Sequence, residues 1–314
     1  MKLSLVIPCY NEEENVKLMH DKIVETFKKE KYNYEMIFIN DGSKDKTILK
    51  LKELIKESKE KIKIVDFSRN FGKEAAIYAG LKESKAEMVA LIDADLQQDP
   101  KYVVEMVKFL DENNEYDSVA MYQEKRKEGK ILSFFKKCFY KLINKISDTK
   151  FTENASDFRV LRRNMVNAIL DMKEYYRFSK GIFSWVGFNT HYQPYKVKER
   201  ANGTTKWSFK GLMKYALDGI ISFTTAPLRM ATYVGLTSSF CSIVYLVVVI
   251  IQKIFFGIDI PGYATIITLI LLIGGLQLFS LGIIGEYIGR TYIEIKERPI
   301  YIAKEIIENR SKSW

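Results

Sequence analysis

Cysteine is scarce in this chain, at three in 314 residues, and Cys9, Cys138 and Cys241 lie far apart. An odd, scattered set forms no disulfide framework and no zinc spacing, which fits a reducing compartment. The apolar run at the N-terminus, Leu3 to Ile7, stops at Pro8 and is too short for a secretory signal. No G-x-G-x-x-G and no G-x-x-x-x-G-K-S/T occurs, so the usual dinucleotide and nucleoside-triphosphate fingerprints are missing. Hydrophobic residues make up 47% and charged residues 28%, which excludes a disordered chain and allows one large domain or two. The net charge is +10 and unevenly spread: Lys125 to Lys150 holds nine basic and two acidic residues, interleaved with Phe134, Phe135, Phe139 and Tyr140. Basic charge with aromatics suits an anionic membrane surface or a nucleic acid.

What is present begins with Met88 to Gln97. Five apolar residues, Met88 to Ile92, run straight into Asp93-Ala94-Asp95-Leu96-Gln97. The run reads as a strand buried on both faces. Carboxylates at the end of such a strand cost free energy unless something pairs with them. If the backbone stays extended, Asp93, Asp95 and Gln97 point to one side. Two carboxylates and an amide oxygen form a hard donor set suited to Mg²⁺ or Mn²⁺. A solvated turn with capping acids is the alternative for so short a motif.

Three more short apolar runs, 3–7, 36–39 and 62–67, alternate with helix-like stretches near 13–29, 46–60, 73–85 and after Pro100. The alternation predicts βαβ units and a mostly parallel sheet, with ligands beyond the carboxyl ends of the strands. Those ends read Pro8-Cys9-Tyr10-Asn11-Glu12, Asn40-Asp41-Gly42-Ser43, Ser68-Arg69-Asn70-Phe71-Gly72-Lys73 and Asp93-Ala94-Asp95. From 151 the pattern loses clear period, with short strands expected between Trp185 and Tyr195.

Met230 to Ile251 holds 22 residues without a charge, enough to span roughly 33 Å as a helix. A second uncharged run extends from Tyr263 to Gly285. Lys206, Lys210, Lys214 and Arg229 precede this hairpin and Arg290, Lys296, Arg298 and Lys304 follow it, whereas its connection carries Lys253 alone. That asymmetry predicts both termini in the cytoplasm. Gly282, Gly285 and Gly289 form a small-residue stripe suited to helix packing, within the hairpin or between subunits. Residues 130–147 and 207–223 carry apolar residues at helical spacing, as for helices lying on an anionic leaflet or packed against the protein itself. The expected organisation is a domain over 1–205, a juxtamembrane helix over 206–228, two spans within 229–290 and a cytoplasmic tail over 291–314.

Taken in order, Ile7 to Glu13, Asn40 to Ser43, Ser68 to Glu74, Asp93 to Gln97, Ala155 to Arg159, Tyr175 to Gly187, Arg200 to Ser208 and Leu281 to Pro299 cover most of the chain. Together they closely resemble the family 2 glycosyltransferases, above all the bactoprenol glucosyltransferases and dolichol-phosphate mannose synthases. The resemblance implies an α/β GT-A catalytic domain, a nucleotide-sugar donor and Mg²⁺ or Mn²⁺. It implies that Pro8, Tyr10, Glu12, Ile39 and Asp41 hold base and ribose. Asp93, Ala94, Asp95 and Gln97 would meet metal and diphosphate. Arg200 and Lys206 would bind phosphates, helped by Lys125 or Arg126. Asn40 replaces the family's more usual first aspartate. The expected reaction is inverting transfer from UDP-glucose or UDP-N-acetylglucosamine to polyprenyl phosphate at the cytoplasmic membrane face. A homo-oligomer is expected, and no nucleic-acid partner. A processive polysaccharide synthase is a second reading, but its usual Gln-x-x-Arg-Trp signature is absent. A non-catalytic scaffold is a third.

The resemblance marks Asp157 as the candidate catalytic base. Chemistry leaves its role open. A phosphate monoester has its second pKa near 6, so the acceptor is mostly dianionic at neutral pH and scarcely needs a base. Asp157 could instead orient a group such as Arg159, or cap a helix.

Overall fold

The computed structural model describes residues 1–30, 32–123, 140, 141, 143–145, 147, 152, 155–196, 219, 221–256 and 262–309. Eight strands form one sheet: β1 (Leu3–Cys9), β2 (Tyr34–Asn40), β3 (Ile62–Phe67), β4 (Met88–Leu91), β5 (Ser118–Gln123), β6 (Ala155–Arg162), β7 (Thr190–Tyr195) and β8 (Ala303–Glu308). The helices are α1 (Val16–Phe27), α2 (Thr47–Glu57), α3 (Lys73–Glu83), α4 (Lys101–Glu112), α5 (Arg163–Asp171), α6 (Ser179–Trp185), α7 (Ala226–Phe256) and α8 (Tyr263–Ile295).

The sheet order is β7-β5-β6-β4-β1-β2-β3-β8. Its centre, β4-β1-β2-β3, is parallel. β6 and β8 run antiparallel to their neighbours, and β7 is parallel to β5. Alternation along the strands explains how both faces are covered. Leu3, Leu5, Ile7, Met36 and Phe38 join the core that includes residues of α1, α2 and α4. Val6, Ile37 and Ile39 join the opposite core, with residues of α3, α5 and α6. A period of two with both faces apolar reads as an uninterrupted hydrophobic run. Gly80 lets α3 lie hard against β1, since a Cβ there would stand 2.1 Å from a Val6 methyl.

The structure departs from expectation in five places. The chain stops being extended after Leu91, then turns, with Leu96 at φ 61°; the extended placement of Asp93, Asp95 and Gln97 on one side does not hold. Asp157-Phe158-Arg159 lies within β6, and α5 and α6 occupy the stretch read as aperiodic. Trp185 ends α6 and is no strand residue. The stretch expected as a tail, 291–314, adds a strand to the sheet: β8 pairs with β3 from Lys63–Glu308 to Phe67–Ala303. Lys63 bonds Glu308, Lys52 pairs with Glu305, and the Asn309 side chain accepts the Ile62 amide at 2.9 Å. β8 therefore covers the β3 edge that would otherwise offer unpaired backbone groups.

The fifth departure concerns the hairpin. α7 and α8 are longer than the expected spans of 230–251 and 263–285, and both are long and apolar enough to cross a membrane. Their most apolar windows are 0% buried, so they are not the core helices of a soluble hairpin. Among the described residues, a Cβ on Gly282, Gly285 or Gly289 would meet nothing within 4 Å. The stripe thus stands open and does not pack α8 on α7. Of the two expected interfacial helices, most of each lies outside the described residues. At the described end of the first, Ile143 is fully buried against Phe178 and near Phe223 of the second. That end packs on the protein.

Candidate active site

The carboxyl ends of β1 to β4 meet at one edge, where tight local chemistry shapes the loops. The Asn11 amide donates to Ser43 Oγ at 2.9 Å, and the Lys44 amide returns to Asn11 Oδ1 at 2.8 Å. The Glu12 amide donates to Thr47 Oγ1 at 2.8 Å, while Glu12 Oε2 accepts from Asn15 Nδ2 at 2.7 Å. The loops after β1 and β2 are thereby laced together. Asp41 is the staple of the next loop. Its carboxylate accepts the amides of Phe71 at 2.7 Å and Gly72 at 3.0 Å, and Asn70 Nδ2 at 3.0 Å. Burial pushes its pKa up to about 6, against the downward pull of those amides. Gly42, at φ 59°, permits this approach: a Cβ there would lie 2.2 Å from the Arg69 carbonyl carbon.

The loop held by Asp41 delivers Lys73 to the first turn of α3. Its ammonium sits 2.7 Å from Asp93 Oδ1 and 3.4 Å from Asp157 Oδ2. Lys73 therefore joins the end of β4 to the start of β6. Burial lowers its pKa, but the two carboxylates outweigh that and raise it. The second Asp93 oxygen accepts from Gln98 Nε2 at 2.9 Å, and the Asp93 amide donates to Gln98 Oε1 at 2.9 Å. Asp95 Oδ1 accepts the Gln97 amide at 3.2 Å. Lys73, Asp93, Gln98, Asp157, Pro8 and Phe158 line one small cleft.

Around Asp157 the surroundings are cationic. Burial alone would raise its carboxyl, yet Lys73, Lys180 and Arg159 together hold it below the usual carboxylate range. Burial lowers both Lys180 and Arg159, the latter to about 10. Arg159 lies 3.8 Å over the Phe183 ring and donates to the Ser156 carbonyl at 2.9 Å. Two buried atoms here, Asp157 Oδ1 and Arg159 Nε, have no hydrogen-bond partner among the described residues. Unpartnered buried polar atoms are uncommon in folded proteins. Behind them Glu74 accepts from the Ser179 amide at 2.8 Å and from its hydroxyl, and burial first, then Asp157, push its pKa up to about 7.

The expected residues thus divide. Pro8, Tyr10, Glu12, Asp41, Asp93, Ala94, Asp95 and Gln97 stand at or just beyond the strand ends, with Asp157 beside them at the start of β6. Ile39 is fully buried, so its side chain supports the floor and offers no surface to a ligand. Asp41 is committed to the loop after β3. Gln98, not Gln97, is the amide on Asp93. Lys125, Arg126, Arg200 and Lys206 lie outside the described residues. Sequence reasoning assigned no role to Lys73, Glu74 or Lys180. Lys73 carried one signal: a base opening a helix opposes the macrodipole. Lys180 carried none.

Among the described residues no three His, Cys, Asp or Glu side chains gather as a metal cluster. Two carboxylates, Asp93 and Asp95, are nevertheless a fitting donor set. Mg²⁺ and Mn²⁺ are commonly held by one or two carboxylates, with water and substrate phosphates completing the shell.

Comparison with known proteins matches residues 4–170 to Glycosyl transferase family 2 and residues 226–291 to the GtrB C-terminal hairpin. The prophage bactoprenol glucosyl transferase homolog of Escherichia coli (strain K12) is 40% identical over 309 residues, covering 98% of this chain and 99% of that one. The bactoprenol glucosyl transferase of Shigella phage SfII is 41% identical over 308 residues, covering 97% and 98%. Among solved structures, glucosyl-3-phosphoglycerate synthase from Mycobacterium tuberculosis, in complex with Mn²⁺, UDP and glucosyl-3-phosphoglycerate, aligns at TM-score 0.49 and 16% identity, over 70% of this chain and 77% of that one.

Proposed function

Because the chain belongs to glycosyltransferase family 2, and is a membrane-associated glycosyltransferase, we propose that its acceptor is a polyprenyl phosphate and its donor UDP-glucose or UDP-N-acetylglucosamine. One observation carries the reading. The cleft that holds Asp93, Lys73 and Asp157 is built on the sheet that β8 joins, so the chain leaving the membrane hairpin is bound into the catalytic domain. A cleft tied to a bilayer anchor suits a water-soluble donor and a lipid-borne acceptor. Relatives named bactoprenol glucosyl transferases support this reading.

In this reading Asp93 and Asp95 hold Mg²⁺ or Mn²⁺. When bound, the ion neutralises charge on the leaving nucleoside diphosphate. The protein's own groups do the rest. Pro8, Tyr10 and Glu12 border the donor's base and ribose. Arg126, Arg200 and Lys206 are assigned to phosphate oxygens. Asp157 holds Lys180, Arg159 and Lys73 toward the acceptor side, where a phosphate monoester attacks the anomeric carbon in line and inverts it. The catalytic domain and both termini lie in the cytoplasm, and the open glycine stripe of α8 faces another subunit.

The test is transfer by purified protein in mild detergent, with undecaprenyl phosphate and a panel of nucleotide sugars. The expected product is a polyprenyl-phosphate sugar identified by mass, abolished by EDTA and restored by Mg²⁺ or Mn²⁺. Transfer to a glucan without lipid phosphate would overturn the acceptor assignment, and full activity in EDTA the metal.

A further inference from the structure

Lys73 breaks a local rule. A positive side chain in the first turn of a helix faces the positive end of the macrodipole, at some cost in stability. Lys101 and Arg163 open α4 and α5 in the same way, so it is the surroundings of Lys73 that set it apart. Here the position is compensated by two carboxylates from different strands, Asp93 at 2.7 Å and Asp157 at 3.4 Å. The side chain is no buried strut, since it remains 43% exposed and lines the cleft. Its backbone position is nonetheless tightly set, because Asp41 binds the amides of Phe71 and Gly72 immediately before it.

Asp93 is the carboxylate assigned above to the metal, and both its oxygens are already engaged. Oδ1 faces the Lys73 ammonium, and Oδ2 accepts from Gln98 at 2.9 Å. A divalent ion on Asp93 would sit within a few ångströms of a fixed like charge. At that distance the repulsion is large even in a partly solvated cleft. The donor changes the balance. A bound diphosphate would bring anionic oxygens for both cations, so the ammonium would gain a new partner if the ion took its place on Asp93.

We propose that Lys73 is a positioning residue that serves as a resident counter-cation for Asp93 and Asp157, competes with the divalent ion for Asp93, and so makes metal binding depend on the nucleotide diphosphate. The inference rests on the assignment of the metal to Asp93 and Asp95. It adds an order of events: the ion enters with the donor and leaves with the nucleoside diphosphate. Between turnovers Lys73 keeps the two carboxylates at their working separation.

Direct Mn²⁺ binding tests this without any turnover. Free Mn²⁺ is followed by electron paramagnetic resonance over detergent-solubilised full-length protein, with and without UDP. Wild type is expected to bind Mn²⁺ weakly alone and at least tenfold more tightly with UDP. Lys73→Met is expected to bind Mn²⁺ alone at least tenfold more tightly than wild type, so that the effect of UDP shrinks. Lys73→Arg keeps the charge and is expected to keep most of the wild-type dependence on UDP. Lys73→Met that binds Mn²⁺ alone no better than wild type, while both bind it with UDP, would overturn the inference and leave the metal assignment standing. A merely structural salt bridge predicts that result, or weaker binding in every condition. Loss of Mn²⁺ binding in wild type with UDP present would instead overturn the metal assignment, and the inference with it. Unaltered UDP binding by the Met variant checks that the fold survives.

Discussion

Replacing Asp157 by asparagine separates a proton acceptor from an orienting anion. The carboxylate has three cationic neighbours, Lys73, Lys180 and Arg159, whose pull outweighs burial and holds its pKa below the usual range. The sign follows directly. A carboxyl with a depressed folded-state pKa contributes stability above its unfolded value, about 3.9, and loses it as pH falls through the lower folded value. Nothing in the window from about pH 6 to 9 titrates it. A base so far from the operating pH is poorly matched to proton transfer. The acceptor's second pKa, about 6, makes such transfer largely unnecessary. The expected defect of Asp157→Asn is therefore positional. Without the anion, Lys73 keeps Asp93 as its carboxylate, and Arg159 keeps the Ser156 carbonyl and the Phe183 ring. Misplaced reacting groups cost about 100-fold in rate. Breaking a buried pair costs about 3–5 kcal/mol, but Lys73 is 43% exposed and keeps a second partner, so about 2 kcal/mol is expected. Initial rates of wild type and variant at about pH 6.5, 7.5 and 8.5, with UDP binding as the check on folding, decide the matter. A ratio constant within about threefold supports orientation. Recovery of the variant by tenfold or more at the alkaline end would restore the base and refute this reasoning.

Other perturbations test separate links. Gly42→Ala forces a side chain into a left-handed backbone and against the Arg69 carbonyl carbon at 2.2 Å; about 3 kcal/mol of destabilisation is expected, measured as a lowered thermal transition with weakened UDP binding. Truncation after Ile302 removes β8 and bares the β3 edge, and should lower the thermal transition and cause aggregation in detergent; an unchanged monodisperse profile would count against β8 as part of the fold. Glu74, raised to about 7, binds its proton more tightly folded than unfolded, so its contribution to stability falls as pH rises from about 4.5 to 7 and is flat above. Glu74→Gln should flatten that slope in denaturation followed across the range. In intact cells, a membrane-impermeant thiol reagent should reach a cysteine introduced at Gly262 and not one at Lys304; the reverse pattern would invert the assigned orientation.

Much of the fold was legible in the one-dimensional pattern, because its signals are local. Apolar runs ending in polar loops foretold β1 to β4 and the helices between them, since a parallel strand buried on both faces cannot avoid an uninterrupted apolar stretch. The two long uncharged runs foretold α7 and α8 for the same reason, as any charge inside a bilayer is costly. Asp93, Asp95 and Asp157 stood out as motif residues. What only the tertiary structure decided was which of these groups touch. A period of two would place Asp93, Asp95 and Gln97 on one side, but the backbone turns after Leu91, although β1 and β6 on either side both run on past it. Within the expected tail over 291–314, β8 is short, and its value lies in closing the β3 edge, which no local pattern shows. Lys73 and Lys180 carry weak or no local signal, yet they set the charge around Asp93 and Asp157. Helices and strands far apart in sequence bring them together, and electrostatics depends on distance in space.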